Sequence, residues 1–301
     1  MCTFFLSLKI STRMTDANKE FLIFNCAMSI YQKISSLFFI LSFSSTGFSE
    51  DPPWWPGNPP QVPAEYSGLA RLIGCSGVLI DVGGPPTAPA YVITNGHCVG
   101  FPPPGEIWKD KSSYEEISFV SSTTHKKVNF LTQNIDYATM TGSDIALIKL
   151  NDESIGSLKK KGVLAIPLAK NGPELNDEVI RADIKSGFQI YRCTVEAIVD
   201  HLQEGEWHFS GSFRHSCTSS GGTSGSPIIS AQSGKIVAIH NTSVNRNNSC
   251  GVSAACEIDS EGKATLYNGK KYAQRTHDLA NCFNAEGIFD LNQVNCSLAK
   301  P

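Results

Sequence analysis

The feature that most constrains this chain is the recurrence, from Leu69 onward, of short β-branched runs punctuated by glycine and proline, with few helical stretches between them. A first set comprises Leu69 to Ile73, Gly77 to Val82, Tyr91 to Thr94, Ile117 to Val120 and Ile145 to Leu150. A second comprises Val163 to Ile166, Val179 to Ile184, Gln189 to Val195, Ile198 to His201, Trp207 to Ser210, Ile228-Ile229 and Lys235 to His240. The runs of the first set have strand length, and clusters such as Gly83-Gly84-Pro85-Pro86 supply the turns. Two runs of about six strands predict an all-β chain. With 301 residues, 41% of them hydrophobic, there is material for one large or two modest domains with a real core.

Chemistry concentrates in three places. Gly221-Gly222-Thr223-Ser224-Gly225-Ser226-Pro227 sets a serine among small residues just before a strand. Such a backbone turns sharply, admits a substrate closely and can aim neighbouring N–H groups at one point. An acyl-transfer nucleophile needs both an exposed Oγ and donors for the developing oxyanion. A Gly/Ser-rich surface turn has the same composition, so two upstream segments matter. Tyr91 to Thr94 runs into Asn95-Gly96-His97-Cys98, and Ser143-Asp144 stands at the mouth of the alternating strand Ile145 to Leu150. A serine hydroxyl needs a base, and a histidine base needs a carboxylate to hold its tautomer. The order His97, Asp144, Ser224 differs from that of α/β-hydrolases and of subtilisins.

With Gly74-Cys75-Ser76-Gly77-Val78-Leu79-Ile80, the Thr94-Asn95-Gly96-His97-Cys98 box, Ser143-Asp144-Ile145-Ala146-Leu147 and Gly222-Thr223-Ser224-Gly225-Ser226-Pro227, the chain resembles a chymotrypsin-fold, trypsin-like serine protease over roughly residues 66 to 245. Its serine box, Thr-Ser-Gly-Ser-Pro in place of Asp-Ser-Gly-Gly-Pro, is closer to the bacterial-type, glutamyl-endopeptidase-like branch. Thr223 cannot pair with a new N-terminal amine, and no Arg-Ile-Val-Gly-Gly-like site precedes Cys75, so trypsin-style activation is not expected.

The resemblance implies two six-stranded Greek-key β-barrels, with the active site in the cleft between them and a short C-terminal helix, for which Tyr272 to Cys282 is the candidate. It makes Ser224 the nucleophile, His97 the general base and Asp144 its orienting carboxylate, with the backbone N–H groups of Gly222 and Ser224 as the oxyanion hole. It pairs Cys75 with Cys98, and Cys193 with Cys217, and leaves Cys250, Cys256, Cys282 and Cys296 unordered. It places His240 on the wall of the pocket for the residue before the scissile bond, with Ser219 and Thr218 near the pocket base. That pocket predicts cleavage after Glu, and after Asp. A histidine bonded to a local carbonyl is the competing reading, and a protease fold without catalysis, used as a binding module, is the competing function.

The N-terminal region reads as targeting sequence. Ile34 to Phe43 is an apolar run preceded by Lys33 and followed by Gly47-Phe48-Ser49, too short for a bilayer span of about 20 residues. Residues 28–49 are expected to be a signal peptide, 1–27 a candidate mis-assigned start, and 50–65 an extended Pro/Trp-rich arm carrying Trp54 and Trp55. The protease domain then covers 66–301: a first barrel over about 66–165, a second over about 166–270, and a C-terminal segment, 271–301. Of ten cysteines, setting aside Cys2 and Cys26 leaves an even number, as a secreted, extracellular or periplasmic protein requires. A zinc reading of His97-Cys98 lacks closely spaced ligand pairs, so neither metal nor cofactor is expected. The net charge of −3 and the short Lys159-Lys160-Lys161 run, read as a solvated turn, give no sign of nucleic acid. Peptide or protein substrates, no stable membrane association and a monomer are expected. Asn241, Asn247 and Asn295 head formal glycosylation acceptors, and Asn241 is expected to be unused beside the pocket.

Overall fold

A computed structural model describes residues 59–245 and 250–301. The leader and alternative start over 1–49, Trp54, Trp55 and Asn247 lie outside the described residues. Of the expected arm, Val62 is buried in the core, and Ala64–Tyr66 forms one 3-10 turn behind Pro63, whose φ of −55° suits the start of a helical turn.

Eight strands make the first sheet: β1 (Leu69–Leu72), β2 (Cys75–Asp81), β3 (Pro89–Thr94), β4 (Ile107–Ser112), β5 (Glu116–Val120), β6 (Lys127–Thr139), β7 (Ile145–Ser154) and β8 (Ile166–Pro167). Six of them run β1-β5-β6-β7-β3-β2 and close where β1 pairs with β2; β4 pairs with β6, and β8 extends the sheet from β2. The second barrel closes as β10-β13-β18-β15-β14-β9, from β9 (Glu178–Asp183), β10 (Gln189–Val199), β13 (Ser212–His215), β14 (Pro227–Ser230), β15 (Ile236–Ser243) and β18 (Lys271–Arg275). A small sheet, ordered β12-β11-β16-β17, is made by β11 (Leu202–Glu204), β12 (Trp207–Phe209), β16 (Cys256–Ile258) and β17 (Ala264–Leu266). The all-β, two-barrel expectation is therefore met. Trp207 to Ser210, however, belongs to the small sheet and not to the second barrel.

Successive side chains face opposite sides of a strand, and burial of both sides explains why β2, β3 and β7 are apolar over consecutive residues. Leu79, Val92, Ile148 and Leu150 point into the first barrel, whereas Val78, Ile80, Ile93 and Leu147 join one cluster with Ile180, Ala182, Ile229 and Ile236 of the second. Both faces of β2, β3 and β7 are thus buried, one inside a barrel and one between barrels. Each buried Val, Leu or Ile contributes about 1.5–3 kcal/mol. The strand β6 was invisible in the apolar pattern because it is largely polar and two register shifts, at Thr132/Asn134 and Ile135/Tyr137, break its alternation.

The short C-terminal helix expected over Tyr272 to Cys282 is present but covers only part of that span, and the first four residues of the span are strand. Lys271–Arg275 closes the second barrel as β18, and only His277–Ala280 makes a single helical turn. Barrel closure overrides a weak helical preference, because Tyr272 and Ala273 are fully buried between β13 and β15. The chain then returns to the first barrel. Phe283 packs on Tyr91, Phe289 on Tyr137, and Tyr137 Oη donates to the Ala299 carbonyl at 3.1 Å. The lysine run ends a short helix, Ile155–Lys160, opened by a Ser154/Ser157 capping box; Lys161 is ion-paired with Glu153.

Disulfides join Cys75 to Cys98, Cys193 to Cys217, Cys250 to Cys256 and Cys282 to Cys296. No helix among the described residues is long and apolar enough to cross a membrane.

Candidate active site

Strand β3 ends at Thr94, and Gly96–Val99 makes one 3-10 turn that lifts His97 from the barrel rim. Position 96 has no room for a side chain: a Cβ there would stand 2.2 Å from the Thr139 carbonyl oxygen and 3.1 Å from Asp144 Oδ1. That close approach lets Asp144, just before β7 and 1% exposed, take two bonds from one residue. Its Oδ1 accepts the His97 backbone N–H at 3.0 Å, and its Oδ2 accepts His97 Nδ1–H at 2.6 Å. Asn95 Nδ2 donates to the Asp144 carbonyl at 2.9 Å and pins the loop. With Nδ1 carrying the proton, Nε2 of the neutral ring is a lone-pair acceptor.

Burial lowers the proton affinity of His97, but the charge and hydrogen bond of Asp144, with the charge of Glu204, outweigh it, and the imidazole titrates above its ordinary value. No sequence motif marks Glu204, which sits in a polar hairpin.

The serine turn is built from the second barrel and held by the first. Ser220 O accepts both Thr223 N–H at 3.1 Å and Thr223 Oγ1–H at 2.7 Å, with Gly222 at φ +84°. Ser76 of β2 donates its N–H to the Ser224 carbonyl at 2.8 Å and its hydroxyl to the Gly222 carbonyl at 3.1 Å. Gly225, at φ +81°, passes so close to β2 that a Cβ would lie 2.1 Å from the Ser76 oxygen. Among the described residues the N–H groups of Gly222 and Ser224 have no acceptor, and the Ser224 hydroxyl donates to the Asn241 carbonyl at 3.2 Å. His97, Asp144, Ser224 and His240 line one cleft.

A family model described as trypsin-like peptidase domain matches residues 75–239. The chain belongs to that family. Within this trypsin-like peptidase domain the matched span takes in His97, Asp144 and Ser224 and stops at Ile239, one residue before His240. Among solved structures, the MamO protease domain from Magnetospirillum magneticum in its apo form is 16% identical, covering 73% of this chain and 98% of that one at a TM-score of 0.48. Rv3671c from M. tuberculosis H37Rv, in an inactive form, is 11% identical, covering 72% and 84% at a TM-score of 0.43. Deg5 is 11% identical, covering 71% and 85% at a TM-score of 0.43. No curated protein matches the chain.

The remaining predicted residues of this trypsin-like peptidase fall in different places. His240 is buried in β15, and its Nδ1 lies 3.2 Å from Nε2 of His215, a pairing that no local sequence pattern signals. Ser219 Oγ is hydrogen-bonded to Ser243 Oγ at 2.7 Å. Thr218 is exposed, and only its carbonyl is engaged, by Arg181 Nε at 2.8 Å. Arg181 and Asp183 form a fully buried pair at 2.7 Å inside the second barrel. His97 lies near Cys75 and Cys98, and His215 near Cys193 and Cys217, but all four sulfurs are in disulfides and offer no thiolate to a metal. Asn241 is 2% exposed, which leaves its amide no access for a glycan.

Proposed function

We propose that this trypsin-like peptidase is a secreted serine endopeptidase that cleaves after acidic residues, glutamate above all. The observation that carries the reading is the two-point bond between His97 and Asp144 in the cleft that also holds Ser224. Ser224 Oγ attacks the scissile carbonyl carbon as its proton passes to His97 Nε2. The oxyanion forms at the unpartnered N–H groups of Gly222 and Ser224, each such donor contributing about 10²–10³ in rate. The C–N bond then breaks as His97 returns the proton to the leaving amine. Water attacks the acyl-enzyme with His97 again as base and regenerates the Ser224 hydroxyl. In the free protein that hydroxyl donates to Asn241; a catalytic hydrogen bond of this kind commonly tightens only when substrate is bound.

A chain of hydrogen bonds supports the acidic preference. Cys217 N–H donates to His215 Nδ1 at 3.2 Å, so a neutral His215 carries its proton on Nε2 and donates it to His240 Nδ1. The remaining proton of His240 is then on Nε2, a donor suited to a substrate carboxylate, with the Ser219 and Ser243 hydroxyls nearby. Arg181, although paired with Asp183, still acts as a positive charge on His215 and His240, which suits a pocket that takes an anion. Four disulfides accord with an oxidising compartment.

The test is digestion of a mixed peptide library by the protein and by its Ser224→Ala variant, with cleavage sites read by mass spectrometry. Cuts after glutamate that vanish in the variant are expected. Cuts after lysine, arginine or apolar residues would remove the role of His240, and no cleavage by folded protein would leave a binding module.

A further inference from the structure

The cleft has a second wall, contributed by the small sheet, which the reaction leaves unassigned. Glu204, at the end of β11, lines the cleft with Phe101, Met140 and Trp207. Its Oε1 is held twice, by Ser253 N–H at 2.7 Å and Thr242 Oγ1–H at 2.9 Å. Its Oε2 has no hydrogen-bond partner among the described residues. Two rings flank it. Phe101, 51% exposed, stands with its centroid 5.7 Å from His97 and 6.3 Å from Trp207, whose Nε1–H is anchored on the Pro102 carbonyl at 3.1 Å.

The strand beside it determines how a peptide would meet this wall. Pairing of β14 with β15 ends at Pro227 and Ile239, so Asn241–Ser243 continues past that neighbour, with Thr242 and Ser243 paired to β18 on one side, Asn241 unpaired at the register shift, and all three residues lining the cleft. A register shift between His240 and Thr242 turns these two side chains to different sides: His240 leads to His215, and Thr242 leads to Glu204. A peptide added to that edge in extended form sends successive side chains to opposite faces. When one residue faces His240, the residue before it faces Glu204.

We propose that Glu204 forms a second specificity subsite that selects lysine or arginine immediately before the residue read by His240. The aliphatic stem of such a side chain lies along the Phe101 and Trp207 rings while its cationic head meets Glu204 Oε2, combining an ion pair with a cation–π contact. Burial raises the Glu204 carboxyl above its ordinary value; the bonds from Ser253 and Thr242 oppose this, and the Asp144 charge adds to it. An arriving cation supplies the solvation that burial removed, whereas an acidic side chain would meet both Glu204 and Asp144.

The position assigned to the subsite rests on the proteolytic reading, but its charge preference is measurable without turnover. Peptides with glutamate at the cleavage position and lysine, norleucine or glutamate before it are titrated into the Ser224→Ala protein by calorimetry. Lysine is expected to bind about tenfold tighter than norleucine, with glutamate weakest, and Glu204→Gln in the same background to bring lysine and norleucine within about twofold. Moving the lysine one residue further from the cleavage position should abolish its advantage. Equal binding of lysine and norleucine peptides in the Ser224→Ala protein, no binding of any peptide, or a preference that survives Glu204→Gln overturns the proposal. Failure of the unsubstituted protein to hydrolyse any peptide removes the proteolytic reading and leaves this result standing.

Discussion

Ser76 and Ser224 are hydrogen-bonded across the two barrels, the Ser76 N–H donating to the Ser224 carbonyl at 2.8 Å. Through this bond the first barrel, which carries His97 and Asp144, also holds the serine turn of the second. The same strand approaches Gly225 so closely that the two barrels share one backbone contact at the cleft.

Gly225→Ala should therefore damage both stability and activity. Its Cβ would meet backbone, which cannot rotate away, at a φ of +81° that alanine tolerates poorly. Overpacking and left-handed backbone together cost about 2–4 kcal/mol. Displacing the turn is expected to lower kcat/KM by about 10²-fold. Urea unfolding and peptide hydrolysis measure the two effects.

The pH dependence of serine reactivity should report His97. The imidazole must be neutral to accept the Ser224 proton, and Asp144 and Glu204 raise its titration above the ordinary histidine value despite burial. Labelling by an uncharged fluorophosphonate probe is expected to rise with pH and to reach its plateau only above pH 6.5. Glu204→Gln removes one of the charges that favour the imidazolium, so the rise should move to lower pH. A profile unchanged by that substitution would separate Glu204 from the electrostatics of His97.

Acid should weaken the fold through the two buried histidines. Burial, with the Arg181 charge, pushes His215 down to about 3; burial, with the charge of His215, pushes His240 well below its usual value. Between the unfolded value of about 6.5 and that folded value, the unfolded chain binds more protons. Stability is thus fully present above pH 6.5 and is lost as pH falls toward 3, by at most about 1.4 kcal/mol per pH unit for each group. Thermal melts of the protein and of His215→Gln at pH 7, 6 and 5 should show a shallower acid decline in the variant.

Breaking the Arg181 and Asp183 pair should be more costly than replacing it. Asp183→Ala leaves a guanidinium 1% exposed without its carboxylate and is expected to destabilise by about 3–5 kcal/mol. Arg181→Met combined with Asp183→Leu removes both charges and should recover most of that loss, as read by denaturant midpoints. Because Arg181 Nε also holds the Thr218 carbonyl, the double variant should disturb the acidic-residue preference proposed above even when folded.

The sequence by itself determined the strand and turn pattern, the glycines that permit close approaches, and the order in which His97, Asp144 and Ser224 occur, because each is written in neighbouring residues. The strands β2, β3 and β7 were legible because burial on both faces leaves them continuously apolar. Tertiary structure decided the rest. The polar, bulged β6 was hidden because register shifts erase alternation, and Tyr272 became strand because closing a barrel satisfies more backbone than one isolated helical turn. It paired His215 with His240 across 25 residues and set Glu204 against Thr242 across 38. No local pattern encodes such contacts. They arise only when barrel closure brings separate strands within hydrogen-bonding distance.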